Sequence, residues 1–198
     1  MGAGVSSWTL AREVSRLGQL GVVSGTALDS IMVRRLGIGD PGGHVRAAIA
    51  QFPVQRVANE VLAKYYVPEG KADAPDAEGN RFKLIPMLRA TMTPERQWLI
   101  ILANFVEVHL ARQGALEGGG KVGINYLHKI QLPNLHSIYG AMLAKVDAIL
   151  MGAGIPADIP GAIDALVQHQ PASLQLEMLD DTSTKPTIDF DPMALWRA

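Results

Sequence analysis

Apolar positions along the chain follow two rhythms. After Ser6 or Ser7, either of which can cap a first helical turn with its side-chain oxygen, Leu10, Val14 and Leu17 recur at helical spacing with Ala11 beside them. Gly18 stands just past the last of these, where a left-handed residue ends helices. Leu20-Gly21-Val22-Val23 is then a short apolar run without polar alternation. A strand covered on both faces of a parallel sheet reads this way, and the run ends on Ser24-Gly25-Thr26. Helix, tight turn and buried strand make most of a βαβ unit. Its first strand is expected to be truncated, since Met1-Gly2-Ala3-Gly4 reads directly as a glycine turn that a strand should feed.

The same rhythm returns in the second half. Val122 to Leu127 predicts a strand and His128 to Pro133 a polar loop. Asn134 caps a helix bearing Leu135, Ile138, Met142 and Val146. Ala148-Ile149-Leu150-Met151 predicts another buried strand, ending on Gly152-Ala153-Gly154. A short helix follows over Pro160 to Val167, with proline at a position whose N–H has no helical partner, and then a strand over Ser173 to Leu179. Strands alternating with helices in this way predict parallel α/β architecture. Between the halves the periodicity is helical over His44 to Phe52, Gln55 to Tyr66 and Thr93 to Gln113. The last of these has Thr93 as cap and Pro94 at the first position, and it is apolar around most of its circumference. Val67 to Asn80, rich in Pro, Gly, Ala and Asp, predicts an exposed loop. The chain therefore divides into a βα unit over 1–27, a mainly helical insertion over 28–120, further βα units over 121–180, and an irregular or truncated tail over 181–198.

Composition narrows the function classes. Of 198 residues, 48% are hydrophobic and 19% charged, the balance of a globular protein. A formal net charge of -1 gives no general attraction to nucleic acid or to an anionic membrane surface. The absence of cysteine excludes disulfides, thiolate catalysis and cysteine-ligated metals, and suits a reducing cytoplasm. The longest uninterrupted apolar stretch, Trp98 to Ala103, falls far short of the roughly 20 residues of a membrane span.

The chemistry-bearing feature is where the glycines fall. Gly25, Gly152 and Gly154 follow predicted strands, and Gly2 and Gly4 occupy the equivalent place before the first helix. In parallel α/β folds that edge carries the ligand site. Each glycine alone is explained by a tight turn; the series at equivalent places points to a site. Gly2-Ala3-Gly4-Val5-Ser6-Ser7 lacks the third glycine of a dinucleotide fingerprint, and no lysine-bearing phosphate loop is present. Asn125 is a polar amide within an apolar strand, offering a donor and an acceptor that match the edge of a flavin or pyrimidine; a structural bond to a neighbouring loop is the competing reading. His128 and His136 flank the loop after that strand at no zinc spacing and read first as surface or loop-bonding histidines. Glu107 and His109 lie on different helix faces, a poor metal pair. Lys129, Asp147, Asp158 and Asp164 read as solvated or capping charges.

The segments Gly2 to Ala11, Leu20 to Thr26, Val122 to Leu127 and Met151 to Pro156 together resemble the nitronate monooxygenase (2-nitropropane dioxygenase) family, which includes a flavin-dependent enoyl reductase branch. The resemblance spans both ends of the chain and is weak across the insertion. It implies the amino-terminal part of a TIM-type (β/α) barrel with FMN at the carboxyl ends of its strands. It implies flavin contacts from Met1, Gly2, Ala3, Gly25, Asn125 and Gly152, and phosphate-binding loops on later strands. Gly152 stands where nitronate-oxidising members carry a histidine, in a form closer to the enoyl reductase branch, so no catalytic base is assigned. The expected function is an FMN-dependent oxidoreductase acting on a nitronate or an activated alkene, most of it lying outside this fragment. The alternative is a non-catalytic half-barrel, self-associating or paired with a larger synthase.

Overall fold

The computed structural model describes residues 2–70, 82–177 and 186–198. Met1 and most of the expected 67–80 loop lie outside them. Element order is α1 (Trp8–Arg16), β1 (Leu20–Ser24), α2 (Leu28–Gly37), α3 (His44–Ile49), α4 (Gln55–Tyr65), α5 (Pro94–Gly118), β2 (Lys121–Leu127), α6 (Asn134–Leu143), β3 (Ala148–Gly152), α7 (Ile159–Val167), β4 (Ala172–Gln175), β5 (Thr187–Phe190) and α8 (Pro192–Trp196). The fold is mixed α/β, built on an open three-stranded parallel sheet ordered β1-β2-β3. Val23 pairs with Ile124, and Ile124 with Ile149. An open parallel sheet of this kind fits part of a barrel.

The sheet rests on α5, whose residues from Leu99 to Val108 are all buried. This helix is long and apolar enough to cross a membrane, but 78% of its apolar window is buried inside the protein, so its apolarity serves the core. Thr93 caps it as the sequence predicts, its side chain accepting from Arg96 N at 3.4 Å.

Against α5 lies α1, on a face the periodicity did not predict. Leu10 and Leu17 are 53% and 73% exposed, whereas Ala11 and Ser15 are buried. The reason is close backbone approach. A Cβ added at Gly114 would lie 2.0 Å from Arg12 O, and one at Gly118 only 1.7 Å from Arg16 O, so this seam admits small residues and excludes leucine. Glu107, buried in α5, locks the seam. Its carboxylate accepts from Trp8 N (2.8 Å) at the start of α1 and from Arg35 Nη1 (2.6 Å) of α2. Ser7 is the N-cap residue of α1, but no side-chain bond caps the helix; Ser6 Oγ instead donates to Val22 O on the outer edge of β1.

Three further expectations change. The insertion holds an additional helix, α2. Asn134 is the first residue of α6 rather than its cap, which is Pro133. The stretch predicted as a further strand of the parallel sheet forms β4, which pairs antiparallel with β5 in a separate two-stranded sheet. The residues predicted as an irregular tail thus supply β5 and α8, and both are anchored. Ile188, Phe190 and Leu195 are buried, Phe190 packs on His136 and Tyr139, and Trp196 Nε1 donates to Tyr139 Oη at 2.8 Å.

Candidate functional site

Side-chain alternation separates the two faces of the sheet. Val122, Ile124 and Tyr126 of β2 point at the helices. The Tyr126 proton is shared between Asn104 Oδ1 and Ser137 O, each 2.8 Å away, and burial holds the phenol well above its ordinary pKa of 10.0. Gly123, Asn125 and Leu127 therefore face the other way, together with Leu20, Val22 and Ser24 of β1 and Ala148, Leu150 and Gly152 of β3. Among the described residues this face is the less covered one: Leu20 is 46% and Leu150 37% exposed, Asn125 and Leu127 are half-buried, and Ser24 is buried.

At its carboxyl edge this face brings together three of the sequence-predicted residues. Ser24 pairs with Asn125 and Leu127 with Gly152, which places Gly25, Asn125 and Gly152 on the ends of adjacent strands. The three are not equivalent. Among the described residues the Asn125 amide has no hydrogen-bond partner, so its donor and acceptor are free for a ligand. Gly152 faces open space, a Cβ there meeting nothing closer than Tyr126 O at 3.9 Å. Gly25 is glycine for a packing reason: a Cβ would stand 2.3 Å from the Tyr126 ring, and its N–H is already given to Asn125 O at 2.8 Å. Gly2 and Ala3 lie on an exposed turn closed by Val5 N donating to Gly2 O. Ser6 O, accepting from Ser24 N at 2.8 Å, holds that turn beside the end of β1.

Of the histidines, His128 lies at this edge, its N–H donating to Gly152 O and its ring packed against Gly154. His136 is 1% exposed, a core residue and not the surface histidine the sequence suggested. Neither ring nitrogen finds a partner, and burial together with the nearby Arg96 charge lowers its pKa from 6.5 to about 4. Asp147 caps no helix: it precedes β3, accepts from Val122 N of β2 at 2.8 Å and pairs with Arg112 Nη1 at 3.0 Å. No group of three or more His, Asp or Glu suited to a metal occurs among the described residues.

A cavity of about 220 Å³ opens behind Gly25, between the first turn of α2, α5 and the start of α6. Arg96, 6% exposed, lines it. Its Nε donates to Pro86 O at 2.9 Å and its Nη2 to Asp29 Oδ2 at 2.5 Å. Sequence reasoning passed over this residue. The available signal was a cation in the first turn of a helix, where the helix dipole disfavours it and a partner is required.

Comparison with protein-family models, with curated proteins and with solved structures finds no match to this chain.

Proposed function

We propose that the uncovered face and carboxyl edge of the parallel sheet bind the isoalloxazine of FMN, and that the chain belongs to a flavin-dependent oxidoreductase resembling nitronate monooxygenases and their enoyl reductase branch. The observation that carries this reading is the unpartnered Asn125 amide beside the open surface of Gly152 at adjacent strand ends. The residues present fit the edge of a planar, hydrogen-bonding ring. Asn125 would supply a donor and an acceptor to it, and the bare Gly152 backbone would let it approach. Leu127 and Leu150 would shield it from water. When bound, the flavin would supply two-electron redox chemistry toward a nitronate or an activated alkene. Gly152 has no side chain to act as a base, so the proton transfer is not assigned to that position.

The test is the visible absorption spectrum of the protein purified from its full genomic frame. Flavin bands that Asn125→Leu weakens or abolishes are expected; a colourless protein that neither retains nor takes up FMN overturns the reading. A second reading rests on the exposure of Leu20 and Leu150 at the two outer strands. Parallel sheets are ordinarily covered on both faces, and an outer strand with no strand beside it among the described residues, as β3 is, invites pairing. As a half-barrel assembly component, the chain would complete this sheet with strands of another polypeptide. Light scattering that shows a monomer with no co-purifying partner would contradict it.

A further inference from the structure

We propose that the cavity behind Gly25 binds a small carboxylate, its oxygens held by Arg96 Nη1, the first-turn amides of α2 and the hydroxyls of Thr26 and Ser30. The inference is independent of the flavin.

Arg96 carries the argument. Two of its three nitrogens are engaged, Nε with Pro86 O and Nη2 with Asp29. Nη1 is buried and has no partner. A buried guanidinium nitrogen with two idle N–H groups is costly in a folded protein and calls for an acceptor that the described residues do not supply. Independently, the ten-residue helix α2 begins at the same cavity without a side-chain cap. The Ser30 N–H is given to Asp29 Oδ1, but no side chain accepts from Leu28 N or Asp29 N. Helix N-termini of this kind attract anions through oriented N–H groups and the helix dipole.

Charge and size select the ligand. Asp29 neutralises Arg96, so the residual attraction is that of the helix terminus and the idle N–H groups. This suits one negative charge rather than the two or more of a phosphate ester. Ile100 and Ile130 add apolar wall, and about 220 Å³ accommodates an acid of a few carbons. With Nε and Nη2 engaged, Arg96 offers Nη1 alone, a single charge-assisted contact to one carboxylate oxygen, and the α2 amides and the hydroxyls are left to meet the other.

The experiment titrates sodium propionate into the uniformly ¹⁵N-labelled full chain, with sodium chloride at equal ionic strength as the comparison. Saturable shifts of the Thr26–Ser30 amides and of the Arg96 Nε–H, absent with chloride, are expected. The paired change Thr26→Val and Ser30→Ala removes hydroxyls from half-buried positions outside the core, and should weaken binding about tenfold while circular dichroism is unchanged. Arg96→Lys keeps a cation for Asp29 but deletes Nη1, and should abolish saturation. Linear shifts, equal shifts with chloride, or unchanged affinity in the folded paired variant would overturn the proposal and leave buried water as the partner of Nη1.

Discussion

The two faces of the parallel sheet differ in a way that separates stability from chemistry. On the helix side, Val23, Val122 and Ile124 are 0% exposed, and Tyr126 spends its hydroxyl on α5 and α6. On the other side, Leu20 and Leu150 stand partly in water, and the Asn125 amide meets no partner among the described residues. The same strands, with residues one position apart, are thus complete on one face and open on the other. A face that is complete tolerates little change; a face that is open can lose a side chain cheaply and is where a ligand has something to gain.

That contrast can be broken first by deletion. Ile124→Ala should cost about 2–5 kcal/mol in urea denaturation through lost burial and the cavity left behind, whereas Leu150→Ala, on the next strand but the open face, should cost under about 1 kcal/mol. Similar losses at the two sites would erase the distinction. Glu107→Ala removes the acceptor shared by α1 and Arg35, and should cost about 3 kcal/mol, since a largely buried cation is left without its carboxylate. A loss within experimental error would mean that the α1–α5 seam holds without this lock.

The covered side should also be acid-sensitive. His136 is neutral when folded and takes its proton only near pH 4, while the unfolded chain takes it near 6.5. The stability that its neutral form contributes is present above about pH 6.5 and is lost as pH falls toward 4. At about 1.4 kcal/mol per unit of difference, this amounts to about 3 kcal/mol. The stability of wild type relative to His136→Leu, measured by denaturation from pH 7.5 to pH 4, should fall by about 3 kcal/mol over this window, whichever is the more stable at pH 7.5. A difference constant with pH would remove the role given to burial. The smallest stability effect belongs to Asn125→Leu, expected within about 0.5 kcal/mol because no protein bond is lost. The same change should lower FMN affinity at least about tenfold, the sharpest contrast between what holds the fold and what meets the ligand.

Much of the scaffold was legible from periodicity. The three parallel strands, the long buried helix and the capping by Thr93 follow from local pattern alone. The burial of α1 was not legible, because a seam of Ala11, Ser15, Gly114 and Gly118 depends on the partner's backbone and overrides the leucine stripe. The separate β4–β5 pair was missed for a related reason: the aromatic contacts of Phe190 and Trp196 with α6 are long-range. At the site, position along the strands was enough to place Gly25, Asn125 and Gly152 on one edge. It could not tell that Gly25 serves the Tyr126 ring, nor that Arg96, distant in sequence, lines a cavity behind it.

Hydrogen exchange of the full chain with and without FMN tests the central claim most directly, because it reports where the flavin lies. Slowed exchange confined to the amides of 24–26, 125–128 and 152–154 is the result expected. FMN binding that leaves these three strand ends unchanged, or no binding at all, would contradict the account.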